Sequence, residues 1–196
     1  MKAAGLILAA GESRRMGSPK ALLQYGGRTF LDTLTALFAA RCSPVIVVLG
    51  AHAAQIRGAA AHSATFVENP DYALGMSTSL QCGLRAVPPD ASGVLLTLVD
   101  HPAASPATID ALLDAPLDAR STPLLRVPRY RAKRGHPIWF SRELIPEFLA
   151  LPAGAPARDV PARHVDRTEY LDLDDPGIVA DIDSPEDYRA LVGADA

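Results

Sequence analysis

Ala3-Ala4-Gly5-Leu6-Ile7-Leu8-Ala9-Ala10-Gly11-Glu12-Ser13-Arg14-Arg15-Met16-Gly17-Ser18-Pro19-Lys20 is the stretch on which the architecture turns. The apolar run from Ala3 to Ala10 reads as a buried strand, and it breaks into a glycine loop carrying two arginines and a lysine. Glycine lets backbone amides approach phosphate oxygens, while Arg and Lys balance the charge that a leaving pyrophosphate develops. The loop is not a Walker A motif, because five residues separate Gly11 from Gly17 and the lysine comes three positions later. It is not GxGxxG either, which removes the main support for a dinucleotide site. Taken alone, the loop reads equally well as a polar surface turn after an edge strand.

Outward from this stretch, short apolar runs recur at Val45 to Leu49, Thr65 to Val67 and Val94 to Val99. Between them, helical spacing appears at Phe30 to Ala40, Ala53 to Ala61, Thr78 to Val87 and Pro106 to Leu113, with Thr29, Ser77 and Ser105 at N-cap positions. Such alternation predicts an α/β sheet covered on both faces. Further on, Leu124 to Val127, Ile138 to Phe140 and Glu169 to Leu173 read as strands and Arg142 to Leu149 as a helix. Pro and Ala crowd Leu151 to Pro161, which marks a loop-rich passage. The last helix starts near Ser184-Pro185-Glu186-Asp187, where a capping serine, a first-position proline and two acids suit the helix dipole.

At 196 residues and 48% hydrophobic content, the chain is long enough to bury a full core as one domain. Its net charge of -3 offers no general attraction to nucleic acid or to an anionic membrane, so anion binding must be local. Cys42 and Cys82 have neither zinc-ligand spacing nor the numbers for a disulfide framework, which fits a reducing, cytoplasmic compartment. The Met1-Lys2 opening resembles a signal peptide, but Glu12, Arg14 and Arg15 arrive too soon for a cleavage region. The apolar run is also far short of the roughly 20 residues that a membrane span needs.

In open α/β sheets, ligands collect beyond the carboxyl ends of the strands. Two polar clusters fall there: Gly11 to Lys20, and Asp100 after Val94 to Val99. A carboxylate at a strand exit suits Mg²⁺, although a turn aspartate ahead of His101-Pro102 is the more ordinary reading. In Asp181-Ile182-Asp183, alternation puts both acids on one side of an extended segment, as metal ligands or as a solvated acidic stretch. Arg126, Arg129, Arg131, Lys133 and Arg134 form a run without acids, read as a local anion site that leads into Gly135-His136-Pro137. His136 is poised either to face a cleft or to sit as a satisfied residue at a strand start. In Asn69 to Leu80, a turn runs into a helix whose Ser77, Thr78 and Ser79 hydroxyls offer hydrogen bonds to a nucleobase or ribose, besides capping. A GxSxG elbow and an HExxH pair are both absent.

Leu8-Ala9-Ala10-Gly11-Glu12-Ser13-Arg14-Arg15-Met16-Gly17 with Lys20 resembles the signature of the nucleotidyltransferases. Gly75-Met76-Ser77-Thr78-Ser79-Leu80, Asp100-His101-Pro102, Arg134-Gly135-His136-Pro137 and Asp181-Ile182-Asp183-Ser184-Pro185-Glu186-Asp187-Tyr188 are similar to the branch that contains molybdenum cofactor cytidylyltransferase. The resemblance implies a Rossmann-like three-layer fold with a mostly parallel central sheet. It implies one domain over residues 1–196, with a nucleotide-binding half to about residue 105 and an acceptor-binding half beyond. The implied activity is transfer of CMP from CTP to the phosphate of a molybdopterin-type acceptor, with Mg²⁺ as cofactor, pyrophosphate as product, and a molybdoenzyme or its chaperone as partner.

Carried over by motif, Leu8, Ala9, Ala10 and Gly11 hold base and ribose, Arg15 and Lys20 bind the triphosphate, and Ser77 and Ser79 help read the nucleotide. Arg15, Lys20 and Asp100 form the catalytic set. Asp100 and Asp183 ligate Mg²⁺ with Asp181 as helper, and Arg134 and His136 face the acceptor. One departure is His101, where glutamine is common in the family. Ala10 stands in place of the glycine typical of guanylyl relatives, and it is the basis for CTP over GTP. The alternatives are a transferase using GTP or another phosphorylated acceptor such as a sugar phosphate, and a non-catalytic carrier of the molybdenum cofactor.

Overall fold

The first strand, β1 (Ala3–Ala9), is buried at every position. An all-apolar strand needs cover on both faces, so it occupies the interior of a sheet. Its even-numbered residues Ala4, Leu6 and Leu8 join one hydrophobic core, while Ala3, Ile7 and Ala9 join a second on the opposite face. The two-residue period of extended chain thus divides one strand between two layers. The chain is described here from a computed structural model, over residues 2–114 and 123–193.

A small hairpin of β2 (Gln24–Tyr25) and β3 (Arg28–Thr29) leads into α1 (Phe30–Ala39), where the Thr29 side chain accepts from the Asp32 amide as expected of its cap. Then follow β4 (Cys42–Leu49), α2 (Ala53–Ala59), β5 (Thr65–Glu68), α3 (Met76–Arg85), β6 (Gly93–Leu98) and α4 (Pro106–Asp114). The second half contributes β7 (Leu125–Tyr130), β8 (Lys133–Arg134), β9 (Ile138–Ser141), α5 (Ile145–Leu149), α6 (Asp159–Arg163), β10 (Thr168–Asp172) and α7 (Pro185–Gly193).

The main sheet runs in the order β10-β7-β9-β6-β1-β4-β5, with β8 paired to β7. Strand β9 is antiparallel to both of its neighbours, and β8 is antiparallel to β7. Every other pairing in that sheet is parallel, so the mostly parallel architecture is the one found. Leu80 and Leu84 of α3, Ile145 and Phe148 of α5, and Val160 of α6 cover one face. Leu31, Leu34 and Phe38 of α1, with Ile109 and Leu112 of α4, cover the other. Among the described residues, no helix is long and apolar enough to cross a membrane.

Two expected elements differ. Helix α3 begins at Met76 rather than Thr78, so its cap is Gly75, at φ 118°, and Ser77 lies inside the first turn. Only glycine adopts that backbone conformation readily, which is why the helix starts there. The single helix expected over Arg142 to Leu149 is a 3₁₀ turn, Arg142–Leu144, followed by α5. Pro146 has no N–H to give to the Arg142 carbonyl, so one continuous α-helix is not available.

Candidate active site

The loop after β1 is held by its own residues. Ser13 adopts φ 52° and Gly17 φ 68°. The Ser13 carbonyl accepts from the Met16 amide at 2.9 Å, and Ser13 Oγ accepts from the Lys20 amide at 3.0 Å. These bonds fold the loop back on itself and fix where Lys20 leaves it. A cleft of about 590 Å³ opens there, at the carboxyl ends of β1 and β6. Leu8, Ala9, Ala10, Gly11, Arg15 and Lys20 line it, facing Tyr72, Met76, Ser79, Asp100 and Asp183. Sequence reading missed Tyr72, Ala73 and Met76, which come from the turn before α3 and from its first residue.

Lys20 sits between two carboxylates. Its Nζ donates to Asp100 Oδ2 at 3.0 Å and to Asp183 Oδ1 at 2.5 Å, with only 11% of the side chain exposed. Burial alone would lower the lysine pKa, but the hydrogen bond to Asp183 and the charge and bond of Asp100 outweigh it and hold the pKa above its ordinary value. The Lys20 bond is the main cause holding the Asp183 carboxyl below the usual carboxylate range. Arg15 Nη1 adds a second contact to Asp183 at 3.2 Å, whereas Arg14 is exposed and paired with Glu12.

The last segment reaches this cleft through the backbone: the Ile182 amide donates to the Asp100 carbonyl at 3.1 Å. Ile182 is buried, so the alternation expected of Asp181 and Asp183 leaves both acids outside the core. Asp187 Oδ2 accepts from the amides of Asp183 and Ser184, and Ser184 Oγ accepts from the Asp187 amide. This reciprocal cap starts α7 and fixes the backbone that carries Asp183. Desolvation, followed by the neighbouring Asp100 charge, raises the Asp181 pKa.

Of the three hydroxyls in α3, Ser79 lines the cleft. Thr78 is spent on the turn: it accepts from Asn69 Nδ2 at 2.9 Å and reaches the carbonyls of Asp71 and Gly75. The same Asn69 amide donates to Ser79 Oγ at 3.0 Å, so Asn69 orients a cleft residue, a role that nothing in its spacing announced. Ser77 does not line the cleft; its Oγ is buried without a partner.

The basic run is corrected most. Arg126 is fully buried, with Nε on Glu169 at 2.9 Å, Nη1 on the Leu112 carbonyl at 2.9 Å, and its guanidinium over Trp139. Arg129 holds Asp172 through two bonds, at 2.9 and 2.7 Å. Burial closes Arg126 to an incoming anion and Arg129 is already paired, because β10 supplies both carboxylates. Arg131, Lys133 and Arg134 remain exposed, and Arg134 lies 5.0 Å from the Tyr170 ring.

His136 does not line the cleft. Its ring lies against that of His101, with centroids 4.8 Å apart, and its Nδ1 is buried without a partner. Burial, then the neighbouring His101, lowers its pKa to about 4, so the ring is neutral. Burial likewise lowers His101, with the Asp100 charge opposing. Gly135 lets this segment approach the C-terminal one: a Cβ there would fall 2.3 Å from the Ile178 carbonyl oxygen. The next amide, His136 N, donates to that carbonyl at 2.9 Å.

A loop folded back after β1, a lysine held between two carboxylates in the cleft, and a mostly parallel sheet with helices on both faces make up a nucleotidyltransferase fold. The chain belongs to the MobA-like NTP transferase family, whose domain model matches residues 5–168. It is 33% identical over 196 residues to nicotine blue oxidoreductase of Paenarthrobacter nicotinovorans, covering 95% of each chain. It is 29% identical to the molybdenum cofactor cytidylyltransferase of Escherichia coli K12, covering 93% of this chain and 92% of that one. Among solved structures, Rv0371c of Mycobacterium tuberculosis H37Rv superposes with a TM-score of 0.82 at 32% identity, over 98% of this chain and 99% of that one. A second structure of that protein, a complex with manganese, superposes with a TM-score of 0.77 at 30% identity, over 99% of this chain and 100% of that one.

Proposed function

We propose that this protein transfers CMP from CTP to the phosphate of a molybdopterin-type acceptor and releases pyrophosphate. The observation that carries the reading is Lys20 Nζ, held between Asp100 and Asp183 in a cleft lined by the β1 loop. The E. coli cytidylyltransferase relative supports the choice of nucleotide and acceptor. The whole chain acts as one domain, with nucleotide bound by residues up to about 105 and acceptor by those beyond.

Leu8, Ala9, Ala10, Gly11 and Ser79 surround base and ribose, and Ser77 lies in the same first turn of α3 as Ser79. Arg15 and Lys20 take the triphosphate. An acceptor phosphate oxygen attacks the α-phosphorus in line; the new P–O bond forms as the bond to pyrophosphate breaks. The acceptor is already ionised near neutral pH, so positioning and charge neutralisation do the work and no protein base is needed. Arg134 serves the acceptor side, and His136 acts as a positioning residue through the His101 ring.

The residues fit a hard dication: Asp100 and Asp183 are both carboxylates that line the cleft, and Asp183 is set by the α7 cap. Asp100 and Asp183 would hold Mg²⁺, with Asp181 as helper, and the ion supplies Lewis-acid neutralisation of phosphate charge. A molybdoenzyme or its chaperone is the proposed recipient of the product.

Thermal stabilisation tests the reading, since ligand that binds only the native state must raise apparent stability. CTP, GTP, UTP and ATP are compared with and without Mg²⁺, alongside NADH for the activity class named in the Paenarthrobacter relative. The expected result is a CTP-selective shift strengthened by Mg²⁺, followed by pyrophosphate release when acceptor is added. A GTP-selective shift moves the protein to guanylyl transfer, and a shift with NADH alone overturns the transferase reading.

A further inference from the structure

Asp100 presents its two oxygens to different neighbours. Oδ2 accepts from Lys20 on the side of the cleft. Oδ1 is buried, has no hydrogen-bond partner, and lies 3.9 Å from His101 Nε2, beyond hydrogen-bond length. His101 is itself only 8% exposed, and its Nδ1 is also without a partner. Buried polar atoms are rarely left unpaired, and the orphaned Asp100 oxygen has an imidazole nitrogen beside it at a separation that an ion between them would span. Asp181 completes the group: one donor atom from each of Asp100, His101 and Asp181 lies within 4.8 Å of the others. The backbone bond from Ile182 to Asp100 fixes the relative position of the two acids. The His136 ring packs on His101 and restricts its orientation.

We infer that Asp100, His101 and Asp181 form a second cation site, which takes a borderline transition-metal dication of the Co²⁺ and Zn²⁺ class in preference to Mg²⁺. The choice of metal follows from the donors. An all-oxygen set suits Mg²⁺, whereas an imidazole nitrogen beside two carboxylates favours later first-row ions. Three protein ligands also leave at least one coordination position for water or an anionic ligand. The site shares Asp100 and the helper Asp181 with the proposed Mg²⁺ site, but it takes the other Asp100 oxygen and has the His101 imidazole in place of Asp183. It does not rest on the identity of the nucleotide or the acceptor.

The test is Co²⁺ binding to the full chain without nucleotide, read by calorimetry and by proton NMR, in which a coordinated imidazole gives hyperfine-shifted resonances. The native protein is expected to bind one Co²⁺ more tightly than Mg²⁺ and to show such resonances. His101→Gln removes the resonances, weakens Co²⁺ binding about 10- to 100-fold and leaves Mg²⁺ affinity unchanged. Asp181→Asn weakens Co²⁺ by a similar factor; Asp181 is exposed, so this variant keeps the fold if the His101 variant does not. Co²⁺ binding no tighter than Mg²⁺, bound Co²⁺ without an imidazole signal, or native-like Co²⁺ affinity in Asp181→Asn would each overturn the assignment. Because no nucleotide is present, such a failure leaves the transferase reading untouched, and a failure of nucleotide binding leaves this site intact.

Discussion

The loop from Gly11 to Lys20 and the run from Arg126 to Arg134 look alike as sequence, each a cluster of cations at the end of a strand in an acidic protein. In the fold they differ. Lys20 and Arg15 line a cleft, where their partners are the carboxylates of Asp100 and Asp183 at the same edge. Arg126 and Arg129 belong to β7 itself and are consumed by Glu169 and Asp172 of the neighbouring β10. A cation on a loop past a strand end faces an open cleft, whereas a cation within a strand faces whatever the adjacent strand or helix supplies.

The largest effect that sharpens this contrast is on turnover. Lys20→Ala is expected to lower the proposed transfer rate by roughly 100- to 1,000-fold, about 3 kcal/mol of transition-state stabilisation, with the fold retained. Steady-state pyrophosphate release and a melting curve check it together; undiminished turnover would erase the distinction between the clusters. Next, Arg126→Met is expected to cost about 2 kcal/mol of stability, since Glu169 and the Leu112 carbonyl lose a buried donor. Because Glu169 is about one-third exposed, this falls below the range for a fully buried pair. Urea unfolding reads the loss, and CTP binding per folded molecule should not change.

The acids divide in the same way. Asp183 faces the cleft, while Asp175 is buried and accepts from the Ser105 amide, Thr108 Oγ1 and the Gly177 amide. Burial would raise its pKa, but these bonds prevail and hold it below the ordinary aspartate value. A depressed carboxyl pKa gives stability that is present above the unfolded value and lost as pH falls through the folded one. Asp175→Asn should therefore cost about 1 kcal/mol at neutral pH and flatten the decline of stability on acidification below about pH 4, as followed by denaturant midpoints across pH. The smallest effect is expected at Arg129→Ala, within about 0.5 kcal/mol, because the pair with Asp172 is at the surface. A loss of CTP binding in that variant would return the basic run to the nucleotide site.

Much of this was legible because the signals are local. The runs at Ala3 to Ala9 and Val94 to Val99 declare central strands, and Ser184-Pro185 declares a helix start whose cap the structure contains. Asp100 and Lys20 could be placed at the same sheet edge because both follow central strands. The fate of Arg126 was not legible, since its carboxylate lies 43 residues away on a strand that pairs only in three dimensions. Ser77 was misplaced by the rule that serine caps helices; Gly75, with its positive φ, took that position two residues early. The approach of His101 to Asp181 was equally hidden, because it depends on one backbone bond from Ile182 to Asp100.

The bond between Lys20 and Asp183 joins residues 163 positions apart. Strands β1, β4, β5 and β6 have all been made once Leu98 has emerged, so the residues of half the sheet are present well before its lysine has both partners. At translation rates of roughly 5–20 residues per second, the interval lasts several seconds. During it, a growing chain presents the β1 loop without the acids that complete the cleft. The timing of synthesis thus makes the assembled site a sign that the chain has been made at least as far as Asp183.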